Sequence, residues 1–362
     1  LAIHPQTRKH QPNLPRHPET HTAAMQAFET LTYLGQTRRL RQLALRAVAA
    51  YGIEATSVRL LGHGENTTYR VEAPARTYLC RIHRLGYQTP TTIASELGWL
   101  RALQSETSLI VPRPLLASGA PIPEIAIAGL RPRPVVLFDW THGRFELRRP
   151  RPETLRKTGR FLAELHAHTA SWPTPPGFSR QRWDLRGLTG ANVGGSLALI
   201  PAAHQALVAD VVGKLTAVFE ALGDTSMQLI HADLHGANRL LIQDGQLAAI
   251  DFDDCGVGHL SYDIAVTLSY LRAEPGYPQL RAAMLAGYRE VSAFDAVQER
   301  AVEDFFALRR LHIWLWVLAR TADHPTFRDR AAGVAARAVA LLRAYVSGEA
   351  PRAAAILRKR IR

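Results

Sequence analysis

Residues 230–254 read IHADLHGANRLLIQDGQLAAIDFDD. Asp244-Gly245 is a strong two-residue hairpin signal set between two apolar runs, Leu240-Leu241-Ile242 and Leu247-Ala248-Ala249-Ile250. With a two-residue turn and an unbroken ladder, Asn238 falls opposite Asp251, their β-carbons about 4.5–5.5 Å apart. A carboxylate and an amide oxygen at that spacing suit a hard cation such as Mg²⁺. Asn238 and Asp251 are therefore the expected metal ligands. Asp233, five residues before Asn238, adds a carboxylate in the loop that enters the hairpin.

The rest of the chain frames this stretch. Its 362 residues exceed one ordinary domain, so two lobes or domains are expected. At 47% hydrophobic and 21% charged, the composition is that of a soluble globular protein. Two cysteines, Cys80 and Cys255, make no disulfide framework and sit in no metal-ligand spacing. A cytoplasmic location is the expectation, with no membrane span, because no apolar run approaches about 20 residues. The net charge of +13 is concentrated at the ends: residues 1–50 hold seven Arg/Lys and two acids, residues 321–362 nine and three. That distribution argues against a nucleic-acid groove as the working site.

Residues 1–24, rich in His, Pro and Thr and without periodicity, are expected to be disordered or tag-like, with Met25 as a natural start. A helical pattern spans 37–51, and residues 57–83 alternate as three strands: SVRLL, TTYRVE and TYLCRIH. Residues 92–104 read as a helix, and VVLFDW as a strand that closes a Pro-punctuated stretch. Beyond Gly143 the pattern turns helical at 152–169, 200–222, 261–272, 279–291, 296–320 and 331–346, with a Pro- and Gly-rich loop at 171–196. The expected fold class is α+β. A β-rich lobe over 25–137 joins, through a connector at 138–142, a helical lobe over 143–362 that carries the hairpin.

His231-Ala232-Asp233-Leu234-His235-Gly236-Ala237-Asn238, followed by Ile250-Asp251-Phe252, resembles the catalytic loop and metal aspartate of protein-kinase-like phosphotransferases. It is most similar to the aminoglycoside phosphotransferase and choline kinase family, whose pattern has Gly where Ala232 stands. The resemblance covers roughly residues 30–320. It implies ATP and Mg²⁺ as cofactors, Asp233 as the base that accepts the acceptor hydroxyl's proton, and Asn238 and Asp251 as the ligands that hold Mg²⁺ against the phosphates.

The same resemblance places other residues. Gly62, Gly64 and Asn66, in the turn LGHGENTTYRV, would cover the phosphates. Arg81 falls where kinases carry a phosphate-anchoring Lys, and Leu79, on the same strand face, would roof the adenine. Glu96 is supported independently: it lies on the apolar stripe Ile93, Leu97, Leu100, where a carboxylate needs a cation, and Arg81 is the natural partner. The backbone of Asp139, Trp140 and Thr141 would meet the adenine edge. Asp263 would brace the catalytic loop or complement a helix dipole. Asp253 and Asp254 read as solvated or as further metal contacts. His166 and His168 read as packing or surface residues, and Trp314 and Trp316 as core packing or the lining of an acceptor pocket.

These readings converge on an ATP-dependent phosphotransferase acting on a hydroxyl of a small molecule. The alternatives are a protein Ser/Thr kinase of the same superfamily and a catalytically weak nucleotide-binding module. Residues 143–228 hold eleven Arg/Lys against seven acids, a poor match to a polycationic acceptor.

Overall fold

The computed structural model describes residues 28–117, 122–147, 150–189, 196–223, 227–322 and 324–349. The segment 1–24 lies outside the described residues. Helix α1 (Tyr33–Ala50) begins where the Thr32 hydroxyl accepts the Gly35 N–H, 3.2 Å away. Its buried face, Leu40, Leu43, Ala44 and Ala47, follows the helical period and lies on one sheet. That sheet is antiparallel, in the order β1 (Ser57–His63), β2 (Thr67–Glu72), β3 (Thr77–Ile82), β5 (Leu130–Asp139), β4 (Glu124–Ile127). Helix α2 (Pro90–Glu106) starts with a capping box between Thr89 and Thr92 and with Pro90 in its first turn. It packs into the second, larger core. Strand β5 runs through Asp139, so the expected connector begins while the chain is still extended.

The second core belongs to helices: α3 (Pro152–Ser171), α4 (Leu185–Thr189), α5 (Gln205–Leu222), α6 (Leu260–Ser269), α7 (Tyr277–Arg289), α8 (Ala296–Arg320) and α9 (Pro325–Val346). Among the described residues, no helix is long and apolar enough to cross a membrane. Helices α3 and α7 cross so closely that glycine is required at the contact. A β-carbon on Gly287 would overlap the Arg156 carbonyl, and one on Gly159 the Met284 carbonyl. These obstacles are backbone and cannot rotate away. Gly287→Ala is therefore expected to cost about 3 kcal/mol, the upper end of overpacking, read as a fall of several degrees in Tm. A Tm equal to the parent's would show that the crossing relaxes freely.

The hairpin differs from expectation in register. Strands β8 (Arg239–Leu241) and β9 (Leu247–Ala249) pair Arg239 with Ala249 and Leu241 with Leu247. Ile242 donates its N–H to the Gln246 carbonyl at 3.0 Å, which leaves Gln243, Asp244 and Gly245 as the loop. Gly245 has φ +70°. This is a three-residue connection closed by a left-handed glycine rather than a two-residue turn. The ladder shifts by one, and Asn238 stands opposite Ile250, whose N–H it accepts at 2.8 Å. Asp251 lies beyond the ladder, with φ 64° and ψ 68°.

A small sheet went unread in the sequence. Strand β6 (Gln181–Trp183), inside the expected loop 171–196, runs parallel to β10 (Gly256–His259), which pairs antiparallel with β7 (Met227–Ile230). It carries the segment after Asp251 on one side and the entry to the His231–Asn238 loop on the other.

Candidate active site

The loop His231–Asn238 is held from behind. Asp263, fully buried near the start of α6, accepts the N–H groups of His231 at 2.9 Å and Ala232 at 2.6 Å. Its Oδ2 also lies 3.1 Å from His166 Nε2, and the other nitrogen of that ring meets the Tyr288 hydroxyl at 2.9 Å. His166 is thus a buried link between α3, α7 and the loop, not simple packing. Ala232 has φ 64°, a left-handed conformation that explains why the resembled pattern has glycine there. The Thr267 hydroxyl fixes the far side through the Leu234 carbonyl at 2.5 Å.

Asp233 emerges from this brace into a cleft of about 750 Å³ that also exposes Gly62, Gly64, Asn66, Arg81 and Asp251. Six of the sequence-predicted residues therefore meet in one place. Asn238 joins them through Asp233: its Nδ2 donates to the Asp233 carbonyl at 2.9 Å and to Oδ2 at 2.8 Å. Both amide hydrogens are thus used, and Oδ1 is left as an acceptor. Arg81, 4% exposed, donates to Glu96 Oε2 at 2.6 Å, and Glu96 lies fully buried on the α2 stripe. Burial opposes the Arg81 charge, but Glu96, Asp253 and Asp251 outweigh it and hold the guanidinium protonated.

The other expected positions lie elsewhere. Leu79 packs against the larger core, cross-strand from Phe138. The Asp139 N–H goes to the Arg113 carbonyl at 2.9 Å and the Trp140 N–H to the Thr77 carbonyl at 3.1 Å, so the fold itself uses both donors. Trp140 and Thr141 border a separate hollow against Leu241–Gly245. Trp314 is core, whereas Trp316 reaches the cleft.

Asp253 is not solvated. It is 4% exposed, accepts the Asn66 amide at 2.6 Å, and lies 4.0 Å from Arg81 Nη1. Its Oδ1 is buried without a hydrogen bond. Asp254 accepts the Tyr87 hydroxyl. Asp251 is open to the cleft yet enclosed by protein on its other sides. That enclosure, with Asp253, Asp233 and Glu96 nearby, pushes its carboxyl up to about 7, an effect that water in the cleft lessens. Burial, with Asp233 and Asp253, pushes Asp254 up to about 8.

This excess of hard oxygen donors, one of them orphaned, fits a divalent cation such as Mg²⁺. Among the described residues no three His, Cys, Asp or Glu side chains form a complete metal cage. Asp251 and the free Oδ1 of Asn238 would hold the cation.

Because the folded carboxyls titrate above their unfolded value near 4, their contribution to stability is full below that value. It is lost as pH rises through about 7–8. In metal-free buffer, Asp254→Asn should therefore gain several degrees of Tm on the parent between pH 5 and pH 8.5. An equal offset at both pH values would contradict this.

Two groups of site residues were missed. Arg309, 7% exposed on α8, donates to Asp233 Oδ1 and, at 3.2 Å, to the Tyr270 hydroxyl. The available signal was an Arg-Arg pair inside the apolar run FFALRRLHIWLW, where a charge must find a partner. Arg180 donates to the carbonyls of Thr92 (2.8 Å), Asp253 and Cys255 (2.7 Å), while Trp183 Nε1 donates to the Asp254 carbonyl (2.8 Å). They fix the backbone that aims Asp251, Asp253 and Asp254. The loop that carries Gly62, Gly64 and Asn66 is also tied down. Glu65 accepts Trp316 Nε1 at 2.5 Å and lies 3.2 Å from Arg320 Nε, while Arg320 donates to the Gly64 carbonyl at 3.0 Å.

Residues 57–306 match the sequence profile of the phosphotransferase enzyme family (APH), and the chain belongs to that family. It is a kinase-type phosphotransferase with the protein-kinase-like fold. A solved microcompartment-associated aminopropanol kinase is 31% identical, with a TM-score of 0.74 over 86% of this chain and 98% of its own. Amicoumacin kinase of Bacillus subtilis is 25% identical over 75% of this chain and 83% of its own. A solved amicoumacin kinase in complex with AMP-PNP, Ca²⁺ and Ami shares the fold at 20% identity, with a TM-score of 0.67 over 85% of this chain and 96% of its own.

Proposed function

We propose that this enzyme transfers the γ-phosphoryl group of ATP to a hydroxyl of a small metabolite. One observation carries the reading: Asp233, Asp251 and Arg81 line a single cleft with a glycine-containing loop, and Asn238 is hydrogen-bonded to Asp233. Asp251 and Asn238 Oδ1 hold Mg²⁺, which supplies charge neutralisation at the phosphates. Arg81, positioned by Glu96, faces the phosphates, and Gly62, Gly64 and Asn66 cover them. The adenine lies toward the connector 138–142, where the N–H groups of Asp139 and Trp140 are already engaged within the fold. Asp233 accepts the proton of the acceptor hydroxyl. Arg309 and Asn238 hold its two oxygens, and a carboxylate keeps further lone pairs for that proton.

A small acceptor, rather than a protein serine, is supported by the loop pinned to α8 through Glu65, which roofs the cleft. The activities named for the aminopropanol and amicoumacin kinases agree with it. The test is calorimetric titration of ATP with and without Mg²⁺. The parent should bind Mg·ATP, and Asp251→Asn should lose the Mg²⁺-dependent part, because a charge leaves the cation's shell. Equal binding by both proteins would remove Asp251 from the metal site.

A further inference from the structure

Beyond Asp233, the cleft wall is a stripe of α8 formed by Arg309, Arg310, Ile313 and Trp316. Arg309 is committed to Asp233 and Tyr270. Arg310 is not committed. Among the described residues it forms no ion pair or hydrogen bond, and its Nε is buried without an acceptor. The charged groups around it are mostly of its own sign. Burial, with Arg337, Arg309 and Arg272, pulls its guanidinium down to about 10 against the Tyr270 hydroxyl. Arg310 also borders a neighbouring hollow whose acids are engaged: Glu303 lies 3.6 Å from Arg272, and Asp304 accepts the Tyr345 hydroxyl at 2.9 Å. An arginine enclosed in a cleft beside other arginines, with no carboxylate of its own, is stabilised by an anion brought in from outside.

Two anions are candidates: the nucleotide phosphates and a group on the acceptor. Arg81 and the Asp251–Asn238 site serve the phosphates. Arg310 follows the residue that holds the base, on the wall the acceptor must approach.

We propose that the acceptor is a hydroxyl compound bearing a carboxylate or phosphate group, and that Arg310 receives this anion while the hydroxyl meets Asp233. The proposal deepens the kinase reading of the cleft and rests on it. It makes α8 the specificity element, selecting against polycationic acceptors. The guanidinium fork presents paired N–H donors to two oxygens of a carboxylate or phosphate, which fixes the orientation of the molecule as well as its charge.

The experiment uses the full chain and matched acceptor pairs that differ only in the anion. L-threonine is paired with 1-aminopropan-2-ol for the carboxylate, and glycerol 3-phosphate with glycerol for the phosphate. Phosphoryl transfer from Mg·ATP is measured for the parent, Arg310→Gln and Arg310→Lys. In at least one pair the parent's kcat/KM should favour the anionic member by about 10–100-fold, the size of one charge-assisted contact. Which pair shows the preference distinguishes carboxylate from phosphate. Arg310→Gln should abolish the preference through the acceptor KM while leaving Mg·ATP affinity unchanged, and Arg310→Lys should restore part of it. The proposal is overturned if the parent favours the uncharged or cationic member of both pairs. It is also overturned if Arg310→Gln leaves the ratios intact, or if that variant weakens Mg·ATP binding instead. Failure of the parent to bind Mg·ATP at all would instead bring down the kinase reading, and the proposal with it.

Discussion

Asp233→Asn should transfer phosphoryl about 10²–10⁴-fold more slowly than the parent, the range for loss of a general base, while binding Mg·ATP with unchanged affinity. The split follows from geometry. Asp233 stands at the cleft with one oxygen toward Arg309 and the other toward Asn238, whereas the proposed cation site uses Asp251 and the opposite atom of the Asn238 amide. Asparagine preserves shape and an acceptor oxygen for Arg309, leaves the Asn238 amide its bond to the backbone carbonyl at 233 while giving up the one to Oδ2, and cannot take the hydroxyl proton. Removing the charge also strands a guanidinium, so some stability is lost, and the rate must be compared at a temperature where both proteins are folded. A parallel loss of Mg·ATP affinity would mean that Asp233 belongs to the metal site instead.

Glu96→Ala should be the most damaging single change to the nucleotide half of the site. Breaking a buried pair by removing one partner costs about 3–5 kcal/mol, chiefly by leaving the other charge uncompensated. Arg81 would retain only Asp253, with its Nη1 4.0 Å from Oδ1, and would turn toward it. That movement would withdraw Arg81 from its proposed place at the phosphates and compete with Asn66 for the same carboxylate. Both Tm and Mg·ATP affinity should fall, and Arg81→Lys should show a milder form of the same defect. A Glu96→Ala protein with parental melting and parental nucleotide binding would show that the pair does not position Arg81.

What the sequence revealed was what local periodicity and short spacing encode. The stripe Ile93, Leu97, Leu100 with Glu96 on it identified a buried acid and its partner before any coordinates, because an apolar face leaves a carboxylate few options. The helices and the three strands within 57–83 followed from their periods. The hairpin register did not, because Asp-Gly suits a two-residue turn and equally a longer loop ending on a left-handed glycine, and one residue of slip moves Asn238 from Asp251 to Ile250. Strand β6 was hidden because its three residues, Gln181–Trp183, pair with β10 more than seventy positions away, and nothing local announces such a partner. Arg309 and Arg180 were missed for the same reason. Their roles exist only once α8 and β6 are brought against the loops at 233 and 253. Asp253 was misjudged because a polar run beside a turn reads as solvated unless the burying elements are known.

In the proposed reaction this cleft moves phosphoryl groups to a small hydroxyl compound with Asp233 as base. The most direct measurement incubates the full chain with γ-labelled ATP, Mg²⁺ and a pool of small hydroxyl-bearing metabolites, with Asp233→Asn alongside. Label is predicted to appear in a low-molecular-weight product with the parent and to fall about 10²–10⁴-fold with the variant. Parent protein that binds Mg·ATP yet labels no small molecule, or a variant that labels as fast as the parent, would contradict the account.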